Sequence, residues 1–162
     1  MKIYFNILIL ILLFVGCKSP KKDHDFTFYK WALHESYYLK FNSTDTLYSI
    51  DVFPSEQCSY TILKTEEKEK IQTILDNISF PKETDFSNSS IDDGVTYAFY
   101  LKADKQFNQL KIHGNKGPDQ FWLFGKTLET IKNQHTFIKI NKTFDLSGID
   151  KMVAPPVIFN EK

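Results

Sequence analysis

The chain has 162 residues, with 20 acidic side chains balanced by 20 basic ones, so its formal charge at neutral pH is zero. Every basic residue is lysine; without arginine there is no planar fork for two-point recognition of phosphate or guanine, and near-neutrality removes the electrostatic drive toward nucleic acid. Two cysteines cannot build a multiply stapled fold, so an apolar core drawn from 15 phenylalanines and 8 tyrosines has to hold the chain together.

Lys2 sets a positive charge beside the start, and residues 3–15 are apolar or aromatic apart from Asn6. That stretch is short of the roughly 20 residues a helix needs to cross a hydrocarbon core. It has instead the charged tip, apolar middle and small-residue end of an export signal. Its last residues, "LLFVGC", resemble the lipobox of bacterial lipoproteins, in which a small residue precedes a cysteine that is lipidated and becomes the first residue of the mature chain. Gly16 matches the small residue and Cys17 the cysteine, while Phe14 stands where leucine is usual. The resemblance implies a signal peptide over residues 1–16 and a lipidated Cys17 opening a tether over 17–25; the 146 residues left after cleavage are one domain by length, folded over 26–162. It also implies attachment to a membrane by acyl chains, each buried methylene contributing about 0.8 kcal/mol. Lys18 occupies the position where an aspartate would resemble an inner-membrane retention signal, which points to the outer membrane, with the domain facing the periplasm or the cell surface. The resemblance covers the leader alone. Once Cys17 is acylated, Cys58 has no partner for an internal disulfide and reads as a partly buried small hydrophobe.

Beyond the tether, "YYLKFNSTDTLYSIDVF" has a polar centre, Asn42 to Thr46, between two aromatic and β-branched arms: a hairpin. Its second arm alternates, with Tyr48, Ile50 and Val52 expected to face the core, and Pro54 stops it. "SYTILK" reads as a third strand. The period then changes: in "TEEKEKIQTILDNI", Ile71, Ile74, Leu75 and Ile78 share one helical face, Thr65 is the expected cap, and Glu66 and Glu67 suit the positive end of the helix dipole. Residues 79–94 are polar and turn-rich. "VTYAFYLKADKQFNQLKIHG" repeats the hairpin design, with its bend at 103–106. "QFWLF" reads as a strand, "GKTLETIKNQ" as a short helix with Leu128 and Ile131 inward, and "HTFIKI" as a last strand. The tail from Phe144 has too many breakers for a core element, with Val157–Phe159 as an edge strand or an extended end. The expected fold is α+β: a mainly antiparallel sheet with two helices on one face. Matching Tyr38-Leu39-Lys40 to Tyr100-Leu101-Lys102, and Tyr60 and Leu63 to Phe121 and Phe124, suggests two tandem hairpin-strand-helix units.

Catalytic signatures are missing. The four histidines form no ligand spacing, so no metal site is expected, and no glycine-rich loop carries the residues of a nucleotide or other cofactor site. His34 and His113 are the candidates if catalysis occurs, brought together with acids in a cleft. The aromatic "DQFWLFG" offers a different use: on a strand, Trp122 and Phe124 would face away from Phe121 and Leu123 and form a binding surface. The expectation is therefore a lipid-anchored envelope protein that binds a protein or envelope component without catalysis. The alternatives are an envelope hydrolase using His34 and His113, and an immunity-like inhibitor of an envelope-acting toxin.

Overall fold

The computed structural model describes residues 23–87, 90, 94–103 and 106–153. The leader, Cys17 and Val157–Phe159 lie outside the described residues. Four strands open the domain, β1 (Asp25–Ala32), β2 (Glu35–Phe41), β3 (Thr46–Phe53) and β4 (Gln57–Ile62), and α1 (Thr65–Asn77) follows. Then come β5 (Asp85–Phe86), β6 (Thr96–Ala103), β7 (Gln106–His113), α2 (Asp119–Asn133), β8 (Ile138–Lys139) and α3 (Ser147–Asp150). The strands form one sheet in the order β5-β7-β6-β1-β2-β3-β4-β8. Every neighbouring pair is antiparallel except β5 beside β7. The mainly antiparallel α+β architecture expected from the sequence is the one observed.

Both hairpins form where the polar centres fall. In the β2–β3 turn Ser43 adopts a left-handed φ of 61°, and Thr44 closes the bend by donating its hydroxyl to Asn42 Oδ1 at 2.8 Å. The β6–β7 hairpin pairs Thr96 with His113 at one end and Ala103 with Gln106 at the other. On one sheet face, α1 contributes Ile71 and Leu75, and α2 contributes Phe121, Phe124, Leu128 and Ile131. They pack against Phe26, Phe28, Leu39, Leu47, Phe99 and Leu110 from the strands. The rings interlock: Phe124 stacks on Phe26 at 5.3 Å, and Phe121 meets Phe99 edge-on at 5.1 Å. Each such side chain contributes roughly 2–3 kcal/mol by leaving water, so this layer carries most of the stability.

Five local expectations are corrected. "QFWLF" is not a strand but the first turns of α2, because Phe121, Phe124, Gly125, Leu128 and Ile131 are buried at helical spacing. Reading the aromatics for their β-propensity, and Gly125 as a break, hid that longer period. Gly125 belongs inside the helix because a Cβ there would lie 2.5 Å from the Tyr97 ring. The tandem-unit alignment fails at the same place, since it equates β4 with a stretch of α2. The cap of α1 is Lys64 rather than Thr65, its backbone N–H donating to Glu67 Oε2 at 2.9 Å.

The faces of β3 are the reverse of the expectation. Leu47 and Ser49 lie against the helix layer, fully buried, whereas Ile50 and Val52 pack on the opposite face. That face is covered too, because the tail contains a core element after all. Ile149 of α3 is 1 % exposed and, with Val153, packs against Tyr29, Tyr38 and Ala98. Gly148 permits the close approach: a Cβ there would sit 2.6 Å from Tyr100. With both faces apolar, alternation no longer tells inside from outside.

Candidate functional site

The uncovered part of the α3 face forms an open groove of about 710 Å³. Its floor comes from three strands, with Tyr38 on β2, Ile50 and Val52 on β3 and Cys58 on β4. One wall is the stretch from Lys139 to Lys142, fastened to β4 by Ile140 N–H donating to the Cys58 carbonyl at 3.0 Å. Leu146 and Asp150 close the other end, and Asp51, Glu56 and Gln57 form the rim. The Tyr38 hydroxyl donates to Asp150 Oδ1 at 2.7 Å, tying α3 to the floor. Burial and the facing carboxylate hold that phenol neutral, its pKa far above the usual value. Lys142 lies 4.3 Å from the centre of the Tyr48 ring, which itself packs against Phe144 at 4.8 Å. The groove thus combines an apolar strip with carboxylates and ammonium groups along its edges.

Burial pushes the Cys58 thiol up, outweighing the nearby Lys142, so the groove's sulfur stays protonated and weakly nucleophilic. Among the described residues that line the groove there is no histidine.

Three polar clusters lie outside the groove, assembled from residues far apart in sequence. On the helix face, Lys30 is 7 % exposed and bonds Glu129 Oε2 at 2.8 Å and Glu35 Oε1, while the Tyr97 hydroxyl donates to Glu129 Oε1. Burial alone would lower the pKa of Lys30, but the two carboxylates raise it above the ordinary lysine value. Tyr97 is likewise held neutral by burial and by Glu129. A permanently charged lysine and an un-ionised phenol form a structural pin rather than an acid–base pair.

The second cluster has a hydroxyl, an imidazole and a carboxylate in line. Thr61 Oγ1 lies 3.2 Å from His135 Nδ1, and His135 Nε2 lies 2.7 Å from Glu67 Oε2. Burial would raise the Glu67 pKa, but the Lys64 N–H and His135 overcome it and hold the carboxyl below its usual range. The order of groups is that of a nucleophile relay, with Thr61 6 % exposed and outside the groove. The cluster locks the start of α1 to β4 and to the end of α2. The third is His24, which the sequence placed in the tether. It is 5 % exposed, with its N–H donating to Ser43 Oγ at 2.8 Å and Nε2 lying 2.8 Å from Asp76 Oδ1 on α1.

The sequence candidates are placed as follows. Phe124 is 2 % exposed in the core, so it cannot belong to a binding surface. Trp122 packs on Tyr97 at 5.1 Å and donates its indole N–H to the Lys116 carbonyl, and the exposed neighbour is Leu123. The helical period exchanges the two sides that a strand would have presented. His34 is exposed in the β1–β2 turn, while His113 ends β7 with Nδ1 2.8 Å from Thr96 Oγ1. Thr96 of β6 and Trp31 of β1 stand between His113 and the turn that carries His34. Among the described residues no three His, Cys, Asp or Glu side chains converge as metal ligands. None of the described helices is long and apolar enough to cross a membrane. The groove residues are scattered between positions 38 and 150, and only the alternation of β3 hinted that Ile50 and Val52 share a surface. No family model, curated protein or solved structure matches the chain.

Proposed function

We propose that the protein is anchored to a membrane by lipid on Cys17, and that it works there as a non-catalytic binding module whose contact surface is the α3-face groove. The observation that carries this reading is a contrast between two kinds of polar group. The buried Lys30 and His24 and the half-buried His135 and Glu129 each face an internal partner, although His24 Nδ1 has none. The open groove instead presents Glu56 and Lys139 beside an apolar floor, the mixture that recognition surfaces use. Among the described residues a hydrolase reading has no nucleophile and base set together in the groove. Attachment to the outer membrane would fix the module's position and raise its local concentration toward a neighbouring envelope component.

Photo-crosslinking in the native envelope tests this. Reactive side chains placed at Val52 and Gln57 should give a discrete adduct, and one at Leu123 on the helix layer should not. Equal labelling from all three positions contradicts the groove. A hydrolytic activity lost on His113→Ala contradicts the non-catalytic reading.

A further inference from the structure

The end of the sheet at which the chain emerges is fixed by side chains, not left to a loose linker. His24 is buried and held to both Ser43 and Asp76, which fixes the start of β1 to the β2–β3 turn and to α1. From Cys17 to Asp23 there are six residue steps, which reach at most about 20 Å even when fully extended. If Cys17 bears the lipid, as proposed above, that end of the sheet stays within this distance of the bilayer.

The strand register shows what is carried there. Phe107, Lys102 and Asp25 are side by side across β7, β6 and β1, and the same end of the sheet continues to Thr46 and Ile62 on β3 and β4. Phe107 and Ile62 are each 58 % exposed. Five strand spacings separate them, about 24 Å, and β1 lies between. Nearby, Lys40 pairs with Asp25 at 2.7 Å and Lys68 with Asp45 at 2.5 Å, Lys102 is exposed, and the tether sequence adds Lys18, Lys21 and Lys22. We infer that Phe107 and Ile62 are two apolar feet that seat the domain end-on against the lipid surface holding its anchor. Aromatic and aliphatic side chains reach the headgroup boundary in this way, with lysine stems beside them. A zwitterionic surface suffices for the apolar feet, and the tether lysines add attraction to an anionic one. The opposite end, where Leu33 is 63 % exposed in the β1–β2 turn, projects away by the length of a strand of eight residues, about 25 Å.

This inference rests on the lipid anchor, and its test separates the two. The acylated full chain, in a Cys58→Ser background, would carry one dye-labelled cysteine from Phe107→Cys, Ile62→Cys or Leu33→Cys. It would be reconstituted in phosphatidylcholine vesicles containing a nitroxide lipid. Quenching at 107 and 62 should exceed that at 33 by about threefold or more, for side chains reaching the headgroup layer, and should persist at high salt. Quenching at 33 equal to that at 107 and 62, with the N-terminal acyl mass present, overturns the end-on seating alone. Absence of the acyl mass from the protein purified from its host overturns the anchor and the seating with it.

Discussion

At the scale of single residues, the buried ion pairs act as pins whose removal is costly in one direction only. Lys30 keeps its charge in the interior because two carboxylates face it, and deleting one leaves that charge underpaired. Glu129→Gln retains the shape and still offers an acceptor to Tyr97, so its effect isolates the lost charge. We expect it to destabilise the domain by about 2–3 kcal/mol, read from urea unfolding, with Lys30→Met/Glu129→Leu recovering most of the loss. A Glu129→Gln protein as stable as the parent would contradict the pin. Glu67 makes a prediction in pH. Its folded pKa lies below the ordinary 4.5, because the Lys64 N–H and His135 overcome the opposing effect of burial. It therefore contributes stability above that value and loses it as pH falls through the folded pKa. Glu67→Gln should be less stable near neutrality, and the difference should shrink on acidification; a constant gap from pH 7 to 3 would show that the carboxylate carries no such linkage.

At the scale of elements, legibility followed contrast between faces. α1 was readable because its charged run and its Ile71, Ile74, Leu75 and Ile78 stripe differ sharply. α2 was misread because its aromatics suit strands locally and Gly125 reads as a breaker, whereas the close approach of Tyr97 is a tertiary fact. β3 was correctly placed as a strand but turned over, since both of its faces carry apolar side chains. α3 was invisible: four residues amid breakers carry no periodicity, and only the sheet beneath explains Ile149. The polar clusters were equally hidden, with His135 lying 74 positions from Thr61 and 68 from Glu67. The role assigned to α3 is testable. Ile149→Ala should cost about 2–4 kcal/mol as a buried large-to-small change, measured by chemical denaturation, and should loosen the groove wall that Leu146 and Asp150 form. A change below about 0.5 kcal/mol would mean that α3 is an ornament on the surface rather than a second core.

At the scale of the whole molecule, the sheet divides the work between its faces. Two long helices and the aromatic layer make one face the stability core, which leaves the thinly covered α3 face free to carry a groove. The chain leaves from one end of that sheet at a pinned His24, so a short lipidated leader would orient the whole body as well as localise it. Groove, orientation and compartment therefore share one premise, the chemistry of residue 17. The most direct measurement is the mass of the N-terminal peptide from the protein purified out of its own host. The account predicts a peptide beginning at Cys17 and bearing a thioether-linked diacylglycerol, and an unmodified peptide beginning at Met1 would contradict it.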